Sequence, residues 1–259
     1  MKYLESINNK AIKQTIALAS KKERDKTGLF VLEGERLVSE INNMDLIEYV
    51  IVSESYKGEY PPTNKICLTS DSLFEKLSDT VNPQGIIAVC HKLKYKYENA
   101  FNVNNPFFVV LENLQDPGNL GTIIRTADAA GANGIFINKG SVDLYNPKVV
   151  RSTMGSIFHL PIYTGIDLPV LLDDCRNNKI QTLAAHLGGT RTPYMADLTG
   201  PTAILVGNEG SGLTPETATM ADELVRIPMP GKAESMNASI AAGILIYETV
   251  RQRIGGQKI

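Results

Sequence analysis

The sequence predicts an α/β protein in two parts: a mostly parallel sheet flanked by helices, preceded by a smaller α/β domain. Two observations carry this. From Phe107 onward, short apolar runs alternate with helical stretches, the pattern of a parallel sheet covered on both faces. Before it, the run KLKYKYENAFNVNN at 92–105 is polar and aromatic with no period, and reads as a connection between two cores. A chain of 259 residues suits two domains, at roughly 100–200 residues each. The expected division is 1–93, a linker at 94–105, and a second domain at 106–259.

In the first part, residues 8–19 place Ala11, Ile12, Ile16, Ala17 and Ala19 close to a helical stripe. A short strand at 30–32 leads into a helical stretch at 35–41. Strands are expected at 46–52 and 66–68, a short helix at 72–77 capped by Asp71, and a buried strand at 85–90. The second part begins with the strongly apolar 107–111, then a helix at 119–131, a strand at 134–137 and a helix at 147–154. Strands near 161–163 and 181–185 enclose another helix. A strand at 203–206, a helix at 215–221, a strand at 223–227 and a helix at 239–253 complete the alternation.

Composition narrows the chemistry. Cys67, Cys90 and Cys175 are odd in number, far apart and without a CxxC, so neither a disulfide framework nor a zinc site is expected. His91, His159 and His186 are equally scattered, and no metal is expected. The first residues lack a secretory signal's apolar core, and no apolar run approaches a bilayer span, so a cytoplasmic protein with no membrane partner is expected. A net charge of −2 and a pI near 6.0 do not advertise nucleic-acid binding. A local patch could still serve, and Lys21-Lys22-Glu23-Arg24-Asp25-Lys26 is one, although by charge alone it reads as a solvated helix end.

In a parallel sheet, ligands gather beyond the carboxyl ends of the strands, which directs attention to three loops. After 107–111, a proline–glycine turn enters a helix at Asn119, a good N-cap residue. Arg125, six positions on, is offset from Asn119 by roughly 120° around the helix and can line the same side. Arg125 lies between Ile124 and Ala127, where a structural guanidinium would need a partner; this favours a functional one. After 203–206 comes Gly207-Asn208-Glu209-Gly210-Ser211-Gly212, whose glycines let a ligand approach the backbone. It is neither the dinucleotide fingerprint nor a P-loop. Glu209 would stand at the strand end beside any bound cation. The third loop runs from Ile227 through Met229, Ser235 and Met236 to a helix capped by Asn237 or Ser239. By itself it reads as capping. The small residues Ala241, Ala242 and Gly243 imply close packing against another backbone.

In this order and at these spacings, the three loops resemble the motifs of the SpoU (TrmH-like) branch of the SPOUT RNA methyltransferases. The matching residues are Asn119-x-Gly121-x-x-x-Arg125-Thr126-Ala127, then 205–213 (LVGNEGSGL), then 227–239 (IPMPGKAESMNAS). The resemblance covers 106–253. FVLEGERL at 30–37 is also similar to the start of that family's L30e-like substrate-binding domain, a shorter match.

The resemblance implies a deep trefoil knot, with the chain after 203–206 threaded through a loop. It implies S-adenosylmethionine as cofactor, held in a bent form by backbone groups of the second and third loops, with Gly207, Ile227 and Met236 at the adenosine. Leu205, Asn208, Gly210, Met229 and Ser239 complete the expected cofactor-binding set. It implies a homodimer with catalytic residues near the subunit interface, and RNA as partner, ribosomal RNA ahead of transfer RNA. The expected reaction is methyl transfer to a ribose 2′-hydroxyl. The resemblance points to Arg125 as the catalytic residue; its pKa makes it a poor free base, so a phosphate- and alkoxide-gripping role is expected, with Asn119, Glu209, Ser235 and Asn237 orienting it and the ribose. The alternatives are a transfer-RNA ribose target, transfer to a base nitrogen, a non-catalytic RNA binder and an unrelated nucleotide enzyme.

Overall fold

The computed structural model describes residues 1–255. In chain order the elements are β1 (Lys2–Leu4), α1 (Lys10–Ala17), α2 (Lys21–Thr27), β2 (Leu29–Glu33), α3 (Glu35–Ser39), β3 (Ile47–Ser53), β4 (Ile66–Thr69), α4 (Asp71–Phe74) and β5 (Ile86–His91). They continue with β6 (Phe107–Leu111), α5 (Pro117–Ala129), β7 (Gly134–Asn138), α6 (Pro147–Thr153), β8 (Ile162–Ile166) and α7 (Leu168–Asn177). The last are β9 (Gln181–Ala185), β10 (Thr202–Val206), α8 (Pro215–Met220), β11 (Glu223–Val225) and α9 (Ala238–Ile254). The described residues form two compact units, Met1–Lys94 with Asp143–Phe158, and Tyr95–Val142 with the chain from His159 onward.

The first unit is a mixed sheet in the order β1-β4-β3-β5-β2, with β1, β4 and β3 parallel and β5 antiparallel to β3 and β2. Ile51 and Ile87 pack with Leu4, Ile12, Leu73 and Phe74 as one apolar cluster. On α1 the side chains that turn inward are Ile12 and Thr15, and Ile16 stays exposed. The expected helix at 72–77 is a single turn, and its cap is Ser70, which accepts from Leu73 N. Asp71 instead accepts from Ser55 N and Oγ. The segment Asp143–Phe158, with α6, packs in this unit; Tyr145 lies 4.7 Å from Phe30, ring to ring.

The basic stretch at 21–26 is α2, and its charges are largely spent within the unit. Lys21 and Lys92 both pair with Asp25, at 2.6 and 2.8 Å, and Lys26 with Glu23 at 3.5 Å. Arg24 is buried, bonded to Asp143 through Nε and Nη2 and to the carbonyls of Leu18 and Ala19 through Nη1. As an RNA-binding patch the stretch offers little.

The second unit is a six-stranded, all-parallel sheet in the order β11-β9-β10-β6-β7-β8. Alternation along β6 sends Phe108 and Val110 to one face, where they join Phe136, Tyr163, Leu171, Leu172 and Leu205. On the other side α9 packs on β10 and against α5, where Ala242 is fully buried and a side chain added at Gly243 would meet Thr126 at 4.0 Å. Residues 95–101, inside the expected linker, belong to this unit. Tyr97 and Phe101 pack on its core, and the Tyr97 hydroxyl donates to Asp174 at 2.7 Å. Among the described residues no helix is long and apolar enough to cross a membrane.

Candidate active site

The C-terminal ends of β11, β9, β10 and β6 stand side by side, and the loops that leave them meet there. β6 and β10 are in register to their last residues, Leu111 opposite Val206, and Glu112 N continues the ladder to Val206 O at 2.9 Å. Glu112 is buried at the base of the next loop. Its carboxylate accepts from Thr214 N and Oγ1 and from Thr217 Oγ1, at 2.7–2.8 Å, closing the 207–213 loop onto the start of α8.

Within that loop Asn208 and Gly212 exchange both backbone hydrogen bonds, at 3.0 Å. The fold-back brings Gly212 and Leu213 so near Gly207 that a Cβ there would lie 2.2 Å from both backbones. Gly207 is therefore glycine because the loop closes on itself, and not only because a ligand approaches. Gly212, at φ +70°, supplies the left-handed turn.

Glu209 reaches across to the first loop. Its carboxylate accepts from Asp116 N at 2.9 Å, Asn119 Nδ2 at 3.0 Å, Gln115 N at 3.1 Å and, more weakly, Asn208 Nδ2 at 3.4 Å. Partial burial pushes its pKa up, but the bonds from Asn119, Asp116 and Gln115 outweigh it and hold Glu209 below the usual glutamate range. A carboxylate so engaged is an anchor between loops, a different task from standing free beside a cation. Asn119 passes the connection on, its Oδ1 accepting from Asn237 Nδ2 at 2.9 Å. Glu209, Asn119 and Asn237 thus fasten all three loops into one hydrogen-bonded chain.

Two expectations about α5 are corrected. Its N-cap is Asp116, which accepts from Asn119 N at 2.8 Å, and Asn119 lies inside the first turn. Nor do Asn119 and Arg125 share a side: Asn119 is buried, whereas Arg125 is exposed and makes no hydrogen bond or ion pair with any described residue. At α9, Asn237 is the cap, accepting from Ser239 N and Ile240 N.

Beside this chain lies a cavity at the strand ends. Of the residues expected at a cofactor, Gly207, Asn208, Gly210, Ile227, Met229 and Met236 line it, as do Glu209 and Ser235. Leu205 and Ser239 do not. Leu205 is buried in the sheet's apolar core, and Ser239 is buried with its hydroxyl given to Asn237 at 2.6 Å. The sequence reading missed the end of β9, whose Ala185, His186 and Leu187 line the cavity, and Arg226, which follows β11. Only the strand order, with β9 between β10 and β11, brings them in. The His186 ring accepts from Gly188 N through Nδ1 at 3.1 Å. Among the described residues no group of His, Cys, Asp and Glu is placed to hold a metal.

The Glu209 bonds have a pH signature. Because the folded state lowers its pKa, Glu209 contributes stability above its unfolded value, near 4.3, and loses it as pH falls through the lower folded value. Melting temperatures of the wild type and Glu209→Gln, followed from pH 7 to pH 3, are expected to lie furthest apart at neutral pH and converge in acid. A gap that stays constant over that range would show the carboxylate's charge to be immaterial.

Comparison with known proteins agrees with this geometry. Residues 106–247 match the model of the SpoU rRNA Methylase family, and residues 9–88 that of the MRM3-like substrate binding domain. The chain is 34% identical over 250 residues to the 23S rRNA (guanosine(2553)-2′-O)-methyltransferase RlmP of Bacillus subtilis, covering 95% of this chain and 98% of that one. It is 36% identical over 201 residues to a 23S rRNA (uridine(2479)-2′-O)-methyltransferase of Streptomyces viridochromogenes, covering 75% and 70%. Among solved structures, the SpoU methyltransferase AviRb of Streptomyces viridochromogenes in complex with AdoMet superposes with a TM-score of 0.85 at 29% identity, covering 96% of this chain and 100% of that one. With the family model spanning the strands and loops that build the cavity, the chain belongs to the SpoU rRNA methylase family.

Proposed function

We propose that the protein transfers a methyl group from S-adenosylmethionine to a ribose 2′-hydroxyl of ribosomal RNA. The observation that carries this is the bonded chain Glu209–Asn119–Asn237, which ties the three loops together beside the cavity. The cavity suits the cofactor chemically: Val206, Ile227, Met229 and Met236 offer an apolar lining for a purine, and the 207–212 backbone offers hydrogen bonds. When bound, the cofactor supplies an activated methyl on a sulfonium. What remains for the protein is to align the hydroxyl and ease the loss of its proton.

Asn119 and Asn237 hold the loop edges in place, exposed Ser235 faces the cavity to orient the ribose, and Arg125 grips phosphate and the developing alkoxide. Being exposed on α5, Arg125 meets the reacting groups from outside the cofactor cavity. The working unit is a homodimer, with this helix near the subunit interface, and the chain after β10 is threaded as a trefoil knot. The cytoplasm is the location proposed with this substrate.

The test is methyl incorporation from labelled S-adenosylmethionine into ribosomal RNA of a strain lacking the protein, followed by alkaline hydrolysis. Label in an alkali-resistant dinucleotide is expected; label in an ordinary mononucleotide would move the reaction to a base, and label only in transfer RNA would change the substrate. A Gly207→Ala variant probes the cavity itself. The added methyl must displace backbone, a strain costing about 1–3 kcal/mol, so S-adenosylmethionine affinity by calorimetry is expected to fall roughly ten-fold or more. Unchanged affinity would show that the loop is not part of the cofactor site.

A further inference from the structure

A second cavity, of about 380 Å³, opens in the first unit between the outer face of α1, β2, the turn after α4 and the start of α6. That is within the roughly 300–1,000 Å³ of small-ligand sites. Ile16, Ala19, Val31 and Leu77 line it with apolar surface. Ile16 is 41% exposed, on the side of α1 turned away from its own core. Three cations also line the cavity: Lys76, Lys148 and Arg151. Lys76 and Lys148 are exposed, and neither ammonium has a partner among the described residues.

The two carboxylates in the wall are already engaged. Glu33 accepts from Ser78 Oγ, from Thr80 Oγ1 at 2.7 Å and from Asp79 N at 3.0 Å. Asp79 pairs with Arg151 Nη1 at 2.9 Å, which leaves the rest of the guanidinium fork free. α6 is held in place from below by its cap, Asn146 Oδ1 accepting from Lys148 N at 2.9 Å.

We infer that this cavity binds one unpaired nucleotide of the RNA, its base against Ile16, Val31 and Leu77 and its phosphate held by Lys76, Lys148 and Arg151. The inference rests on the RNA reading proposed above and adds a site whose lining shares no residue with the three loops. A concave pocket between elements admits a splayed base but not a duplex. Since the lining has no aromatic ring and its acidic acceptors are in use, the base is held by shape and apolar contact, and its identity matters little. Phosphate supplies most of the affinity, so the site acts as a salt-sensitive grip on RNA. The cavity lies inside one compact unit: its wall from Thr15 to Asp79 falls within the substrate-binding match at 9–88, and Asn146–Arg151 of the wall within the SpoU match at 106–247.

The test uses the full chain, with Lys76→Glu/Lys148→Glu as the variant and Lys22→Glu, an exposed lysine outside the cavity, as control. The probes are a ribosomal RNA transcript for methyl transfer and a labelled 12-nucleotide single strand of mixed sequence for binding. The double variant is expected to raise KM for the transcript roughly ten-fold with kcat and S-adenosylmethionine affinity unchanged. Its single-strand binding should lose about 0.7 of the log–log salt slope per lost phosphate contact. Lys22→Glu should change neither. A second variant, Ile16→Asp, should weaken single-strand binding while leaving the melting temperature intact. If the wild type transfers methyl groups but the double variant keeps its KM and its salt slope, the nucleotide site is overturned and the proposed reaction stands. If the wild type transfers none, the reaction fails, and the single-strand arm still decides the site.

Discussion

An Arg125→Ala variant is expected to bind S-adenosylmethionine as the wild type does and to transfer methyl groups about 10²–10³-fold more slowly, the usual cost of removing one donor aimed at developing negative charge. The two halves of this expectation have separate structural grounds. Cofactor affinity survives because Arg125 does not line the cavity and bonds to none of the loops that form it. Turnover falls because an exposed guanidinium on α5, the helix whose first turn holds Asn119, has no partner among the described residues and can meet an anion from outside. A guanidinium stays protonated, so its contribution is charge and fork geometry, not proton abstraction. Arg125→Lys keeps the charge without the fork and should recover part of the loss. Single-turnover rates at saturating cofactor measure this directly, and a rate for Arg125→Ala equal to the wild type's would remove Arg125 from the chemistry.

The second large effect concerns stability. Arg24→Ala is expected to cost about 3–5 kcal/mol, the range for breaking a buried ion pair by deleting one partner. The Arg24 side chain is 3% exposed and that of Asp143 13%, at 2.7 Å. Removing the guanidinium strands Asp143 Oδ2 and the carbonyls of Leu18 and Ala19 at once. Lys21→Ala, which breaks an exposed pair with Asp25, should change stability by less than about 1 kcal/mol. Urea unfolding of the three proteins checks both numbers. The double replacement Arg24→Met/Asp143→Leu should regain most of the loss, because the cost lies in the charge left alone. A loss of under 1 kcal/mol for Arg24→Ala would mean that water reaches the pair.

What could be read in the sequence follows the range of the interactions involved. The continuous apolar runs of β6 and β10 and the glycines at 207, 210 and 212 are local, and they located the strand ends and the loops correctly. The cap residues were misjudged by one to three positions, Ser70 for Asp71 and Asp116 for Asn119, since Ser, Asp and Asn compete equally for that role and only the backbone decides. Arg125 looked enclosed because its neighbours Ile124 and Ala127 are apolar, yet they point inward while it points out. His186 and Arg226 could not be placed at the cavity, because strand order is a property of the sheet and leaves no local trace. The same holds for Tyr97 and Phe101, which in an aperiodic stretch resemble linker and pack, half-buried, on the core. Leu205 and Ser239 sit within the matching motifs, and they serve the sheet and the helix cap that support the site.

The network from Glu209 through Asn119 to Asn237, with Glu112 closing the loop behind it, is built from side chains and backbone groups of the three loops themselves. Its consequence is kinetic. The loss of chain entropy needed to shape the cavity is incurred during folding, before either substrate arrives. Under the proposed reaction, methyl donor would load without waiting for RNA to order these loops. Arg125 is the opposite case, a group with no hydrogen bond or ion pair to any described residue, which the proposed reaction pairs with an anion of the RNA. The protein would idle in a charged state, and the arrival of RNA, not of cofactor, would set the moment of reaction.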